Sequence, residues 1–328
     1  MESTLDDKGL VCGYSIAPDG NMTVIRAADI ALHFNQADNL VWLHFDHGDA
    51  GARQWISHCE RMPPAAKALL LGSDNHMRIE AIGSGLCGII GDLHHEFASQ
   101  TDGLDVLRLY LDNHCLISVR HRPLAAIDKL RKTIGEGLQD GRPIVLVTNF
   151  LLHVTDTLGD LILGLADSVD DVEEKILEGR PSRPGEELGR IRRLAARLRR
   201  HMVPQQHALL TLLAKLPHWV AENDAVRLRS AIEGLGALGH DLDLVQERAR
   251  LLQEQASARL MEATNRNLYI LSIVTVFFLP ISLISGIFGM NLGGLPWGQA
   301  HLGFWYGMLL MVVTVIVTLV LLKRGRML

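Results

Sequence analysis

The residues best placed for chemistry in this sequence carry no charge. Asn291 closes the run Gly289-Met290-Asn291 and is followed by Gly293 and Gly294, so a tight turn can bring backbone carbonyls close to its amide oxygen. Neutral oxygens are weak direct ligands for zinc, which prefers Cys, His and carboxylate. They suit an ion held through its hydration water, as magnesium often is. Upstream, Asn265, Leu268, Ser272, Thr275, Leu279, Ser282 and Gly286 recur at spacings of three and four. At about 100° per residue they fall on one stripe of a helix whose other faces are nearly all Ile, Val, Phe and Leu. Hydroxyls, a small residue and two leucines on one stripe fit a narrow path with polar and hydrophobic constrictions. They also fit close packing between helices, and the spacing alone leaves both readings open.

Metal-ligand chemistry occurs elsewhere in short clusters: His44-Phe45-Asp46-His47, His94-His95-Glu96 and His114-Cys115. None has a recognised site spacing, so solvated or core histidines are the simpler reading. Cys12, Cys59, Cys87 and Cys115 are scattered, with no C-x-x-C pair, and read as free thiols in a reducing compartment. The chain has no Walker A, G-x-S-x-G or HExxH motif, which argues against an enzyme and gives no reason to expect a prosthetic group. A net charge of −5 argues against a nucleic-acid partner.

The elements that must position these residues follow from one long gap in the charge pattern. No Asp, Glu, Lys or Arg occurs between Asn267 and Leu322, and the stretch is split by the Gly-rich turn around Asn291. Each half is long enough to cross a hydrocarbon layer of about 30 Å as a helix. Spans are predicted at about 268–288 and 303–322, with Tyr269, Trp297, Trp305 and Tyr306 near their ends, where amphipathic rings favour headgroups. Arg259 and Arg266 precede the first span and Lys323, Arg324 and Arg326 follow the second, so both termini are expected in the cytoplasm and the Asn291 turn outside. The first seven residues lack the features of a secretory signal, which leaves the front of the chain on the cytoplasmic side. His301, in the outer loop, is the one side chain between Asn267 and Leu322 that titrates near neutrality, and so the candidate pH sensor there.

The front portion reads as an α/β domain, residues 1–143, with one mixed sheet. Strands are predicted at Met22 to Arg26, Leu40 to Phe45, Met77 to Ile82, Leu86 to Asp92, Val106 to Leu111 and Cys115 to Arg120, and helices at Gly51 to Met62, Pro64 to Leu71 and Leu124 to Gly135. Residues 144–266 read as a helical hairpin and stalk, and 267–328 as the membrane hairpin. The first long helix, Ile144 to Leu177, is acidic in its later part; the next, from about Glu186, carries Arg190, Arg192, Arg193, Arg197, Arg199 and Arg200. The two are expected to lie antiparallel and partly neutralise each other. A last helix, from about Asp224, runs without a break toward the first span. Its seam of Leu242, Val245, Ala249, Leu252 and Ala256 fits either a coiled coil with copies of itself or its hairpin partner, or an ordinary core face.

Two helices cannot enclose an aqueous path, so a path along this hairpin requires a closed ring of chains. The segment Phe278-Leu279-Pro280-Ile281-Ser282-Leu283-Ile284-Ser285-Gly286-Ile287-Phe288-Gly289-Met290-Asn291 resembles the pore-helix end and GMN signature of the CorA metal-ion transporter family. That resemblance implies a homopentamer in the inner membrane, a funnel-shaped cytoplasmic domain and a pore lined by the first span. It makes Asn291 the selectivity-ring residue, with Ser282, Leu279, Leu271 or Ser272, Leu268 and Asn265 deeper along the pore. Leu292-Gly293-Gly294-Leu295-Pro296 lacks the acidic residues usual in the magnesium branch. It is similar instead to the zinc-associated ZntB branch, as are Trp42-Leu43-His44 and Arg199-Arg200-His201-Met202-Val203-Pro204-Gln205. The transported ion implied is Zn2+, the alternatives being a magnesium, cobalt or nickel channel, or a membrane-anchored scaffold that moves no ion.

Overall fold

The computed structural model describes residues 9–18, 21–34, 39–93, 104–137, 141–178, 183–290 and 301–324. It divides into two compact units, Met1–Gln253 and Glu254–Leu328.

In the first unit, β1 (Leu10–Ile16), β2 (Met22–Val24), β3 (Leu40–Asp46), β4 (Arg78–Ile82), β5 (Gly85–Leu93), β6 (Leu104–Leu111) and β7 (Cys115–Arg120) form one mixed sheet. Their order is β2-β1-β3-β7-β6-β5-β4. Among these strands only β3 and β7 pair in parallel. In β3, Leu40 and Trp42 belong to one core and Val41, Leu43 and Phe45 to the other, so both faces of the sheet are covered. Short helices α1 (Ile30–Phe34), α2 (Ala50–His58) and α3 (Pro64–Leu71) lie on the second core; α4 (Ala125–Gly135), α5 (Pro143–Leu177), α6 (Pro184–Leu213) and the first part of α7 (Glu222–Gly289) pack on the first. Burial on two faces explains why the strands read as nearly continuous apolar runs rather than alternating ones.

Three elements have no counterpart in the expected list. β1, LVCGYSI, is interrupted by Gly13, which masks its strand pattern. The glycine is required there, since a Cβ would stand 2.9 Å from the Ile25 carbonyl oxygen. The turn Ala27–Asp29 and α1 are too short for a helical period to show. α2 stops at His58, short of Met62, and its start is fixed by Asp49, whose carboxylate accepts the Ala52 N–H at 3.0 Å.

α5 is apolar and long enough to cross a membrane, yet half of its most apolar window is buried inside this unit. It is a core helix here. α7 joins the expected neutralisation of α5 and α6: Arg248 reaches Asp170 at 2.6 Å and Glu173 at 2.9 Å, and Arg199 reaches Asp243 at 2.6 Å. Between α5 and α6 the pair Lys175–Glu187 (3.1 Å) has the opposite polarity to the one expected. These pairs are partly exposed and contribute little to stability. The seam of Leu242, Val245, Ala249 and Leu252 is buried within the chain's own core alongside α5 and α6 residues. The ordinary core face is therefore the correct reading for that part of the seam, and self-pairing along it is not.

One buried polar contact ties α6 to the sheet. β5 extends past the start of β4, whose Arg78 stands opposite Ile89. Beyond that point the Gly91 N–H donates to the Gln205 side-chain oxygen at 3.0 Å, an acceptor that a neighbouring strand would otherwise supply. A buried N–H without its acceptor costs about 1–3 kcal/mol. Gln205→Ala is expected to destabilise the first unit by roughly that amount and to speed exchange of the Gly91 amide, read by denaturant unfolding and hydrogen exchange.

In the second unit α7 continues to Gly289, and α8 runs over Gly303–Arg324. Both are long and apolar enough to cross a membrane.

Candidate functional site

From Ser257 to Ser272 every residue of α7 is exposed, and beyond that the exposure becomes one-sided. Ile273, Phe277, Pro280, Ile281, Ile284 and Phe288 are half-covered, while Asn265, Leu268, Ser272, Thr275, Leu279, Ser282 and Gly286 are bare; Leu268 is 55% exposed and Leu279 69%. At the helical repeat the two sets are centred roughly 160° apart. From Thr275 to Gly286 the stripe singled out by residue type is thus the face of α7 that its own unit leaves uncovered, while around Asn265, Leu268 and Ser272 the whole helix is bare. On α8 the covered positions are Gly303, Gly307, Met311, Thr314, Val315, Thr318 and Leu322, again a single stripe.

The hydroxyl chemistry of the bare stripe is specific. Thr275 donates its O–H to the Leu271 carbonyl at 2.8 Å, so its proton is tied to the helix and both lone pairs of its oxygen remain as acceptors. An oxygen whose proton is committed in this way suits a cation or a water in its hydration shell. α7 ends at Gly289, with the Met290 N–H bonded to the Ile287 carbonyl at 3.3 Å, and the partial negative charge of a helix C-terminus lies there. Asn291 lies outside the described residues, as do His94 and His95; His301 is exposed just before α8.

The remaining metal candidates do not converge. His44 and Cys115 occupy opposite faces of the sheet, because His44 is in register with Ser118, three residues beyond Cys115. His44 is fully buried, and its Nδ1 contacts the Ser118 hydroxyl at 2.8 Å. The Trp42 indole N–H donates to that same hydroxyl at 2.9 Å. Burial, then the Arg120 and Arg131 charges, push the imidazole pKa well below its usual range and keep the ring neutral. Cys115 is buried and its thiol is pushed well up, mainly by desolvation. His47 contacts the Leu71 carbonyl at 3.3 Å and lies 4.1 Å, centroid to centroid, from His121. Its pKa is lowered first by burial and then by His121. His114 lies 3.5 Å from the Asn113 side chain. Among the described residues no three His, Cys, Asp or Glu side chains gather to hold a metal. These side chains were legible from composition, but strand register, which separates them, was not.

A chain with a mixed sheet covered on both faces and, outside that unit, two helices long and apolar enough to cross a bilayer has the parts of a membrane protein. It belongs to the family described as CorA-like Mg2+ transporter protein, which it matches over residues 37–324. It is 32% identical over 310 residues to the divalent cation transporter CmaX of Pseudomonas aeruginosa, covering 93% of this chain and 92% of that one. It is 28% identical over 314 residues to the zinc transport protein ZntB of Pectobacterium atrosepticum, covering 95% and 94%. The structure of full-length CmaX superposes with a TM-score of 0.85 at 30% identity, over 98% of this chain and 99% of that one.

The histidines set the acid response of the first unit. His44, His47, His153 and His201 all have pKa values lowered from 6.5 in the fold, burial being the first cause in each. The unfolded chain therefore binds protons that the fold refuses, so stability is complete above about pH 6.5 and falls as pH drops below it. Thermal unfolding followed between pH 8 and pH 5 is expected to show a melting temperature that declines below about 6.5, with a shallower decline in His44→Gln.

Proposed function

We propose that this protein moves divalent metal ions, zinc first among them, through a ring of chains in which the bare stripe of α7 lines the path. Membership in the CorA-like family supports divalent-cation transport rather than catalysis. The observation that carries the path is the position of Thr275, Leu279, Ser282 and Gly286 on the uncovered side of α7, in line with Asn265, Leu268 and Ser272 on the bare stretch before them. Lipid would be a poor environment for the hydroxyls and the amide of this stripe, whereas neighbouring copies around an axis would give them water and ions. The named relatives include zinc and general divalent-cation transporters, and the loop after Met290 carries no acidic residue, which supports zinc over magnesium.

In this reading Gly289, Met290 and Asn291 form the outer mouth. The C-terminal ends of several α7 helices concentrate cations there, and a ring of Asn291 amide oxygens holds a hydrated ion. Leu268 and Leu279 narrow the path, and Thr275 and Ser282 offer acceptors between them. The assembly is a homopentamer by the family resemblance, in the inner membrane, with both termini in the cytoplasm. His301 is the residue of the outer loop that could make the mouth pH-sensitive.

Asn291→Ala in purified protein reconstituted into liposomes is expected to reduce zinc flux at least tenfold while the assembly stays intact on size exclusion; unchanged flux would leave the hairpin only an anchoring role. A second measurement bears on the path itself. Cysteines placed at Thr275 and Ser282, in a background with the four native cysteines replaced, should react with a water-soluble thiol reagent far faster than a cysteine at Phe277. Equal rates at the three positions would remove the stripe from the path.

A further inference from the structure

Two rows of charge face outward from the first unit, one on α5 and one on α6. On α6 the exposed residues Arg193, Ala196, Arg200, Val203, His207 and Leu210 alternate steps of three and four. That spacing forms a seam for a facing helix. It is not the side that packs on the core, which is lined by Leu198, Met202 and Leu209. On α5 the exposed residues Asp160, Leu163, Asp167, Asp171 and Glu174 make a similar outer row. Among the described residues, no ion pair within the chain reaches those four carboxylates or the guanidinium groups of Arg190, Arg193 and Arg200. Like charges three and four residues apart on one helix repel, so each row weakens its own helix slightly while it stands alone. The same faces hold large apolar side chains in the open: Leu152 is 43% exposed, Leu163 63%, Val203 52% and Leu210 49%.

The two rows match in length and in level. Leu152 to Glu174 covers about 33 Å of helix, and Arg190 to Leu210 about 30 Å. Going along α7 from Gly236 to Gln253, its partners descend α6 from Gln206 through Arg199 to Arg192, while on α5 they ascend from Gly159 to Glu173. α5 and α6 therefore run in opposite directions, and they pass each other at the Lys175–Glu187 pair. Counting away from that pair at equal rise puts Asp171 level with Ile191, Asp167 with Ala195, Asp160 with Met202 and Leu152 with Leu210. The outer residues at or beside those levels are Arg190, Arg193, Arg200 and Leu210 itself.

We propose that the acidic outer face of α5 in one copy docks on the basic outer face of α6 in the next copy of this chain. The inference rests on the ring of the proposed function and names the surface that closes it. A ring whose axis follows these helices shifts each copy sideways and keeps its level, so each acid of α5 meets the base that stands level with it on the neighbouring α6. An interface that joins two different faces of the same chain is the kind that generates closed rings. An anionic membrane surface would suit the basic row alone and would leave the matching acidic row unexplained.

The test uses the full-length protein in detergent, with the four native cysteines replaced. Asp160→Cys and Arg200→Cys, introduced together and treated with a short bis-maleimide, should give a ladder of dimers and larger species on a denaturing gel. Arg200→Cys combined with Asp171→Cys, which moves the thiol along α5 by about 16 Å, should give none. Charge reversal supplies a second readout. Asp160→Arg should lower the cross-link yield of an Asp167→Cys and Arg193→Cys pair roughly fivefold, and adding Arg200→Asp should restore it, because residues in contact couple while distant ones do not. Light scattering of the unaltered protein separates this inference from the ring itself. Closed oligomers with no ladder from the first pair, equal ladders from the first and second pairs, or no recovery in the double reversal would overturn the contact of α5 with α6 and leave the ring to other surfaces. Single chains alone would overturn both.

Discussion

A helix surrounded by hydrocarbon has to satisfy its polar groups internally, and that constraint governs what α7 and α8 can contain. Backbone groups inside a helix bond along it, apart from the N–H that Pro280 of α7 lacks, and Thr275, Thr314 and Thr318 return their hydroxyl protons to carbonyls four residues back. No charge from Asp, Glu, Lys or Arg interrupts Asn267 to Leu322. These threonine oxygens are left with lone pairs alone, and lone pairs attract cations. The same feature that lets the helices live in a bilayer restricts the species that α7 can favour.

The first unit solves the opposite problem. Its sheet is covered on both faces, so polar groups within it must be matched one by one. Gln205 meets the Gly91 N–H where β4 falls short. Arg108, fully buried, donates to the Asn75 side chain at 2.7 Å and to the Asp74 carbonyl at 3.2 Å. Trp42 and His44 both meet the Ser118 hydroxyl, at 2.9 and 2.8 Å. Such networks cost more to break than to keep.

The mixed sheet, the long helices and the two apolar spans could be read from residue patterns because each is long and strongly periodic. Leu40 to Phe45 is an example: only a strand covered on both faces runs so apolar. β1 was hidden by Gly13, whose role is a close approach to Ile25 that no local pattern encodes. The seam of α7 shows the same limit, since Leu242 to Leu252 specifies a buried stripe without specifying the partner that buries it. The stripe from Asn265 to Gly286 was legible as a face, and the fold added that from Thr275 on it is the uncovered one. Of the histidines, sequence supplied the ligand chemistry but not the register that places His44 and Cys115 on opposite sides of the sheet.

The charge-free spans also bear on coupling. A proton relay through a membrane uses Asp, Glu or His, and α7 and α8 offer none between Asn267 and Leu322 apart from His301, which precedes α8. The histidines whose protonation the fold resists, His44, His47, His153 and His201, all belong to the first unit. Under the proposed transport function, pH acts on this protein by altering the stability and packing of that unit, or by charging the outer loop. A transported proton would have to travel through water in the path itself, since no side chain of the spans can carry it.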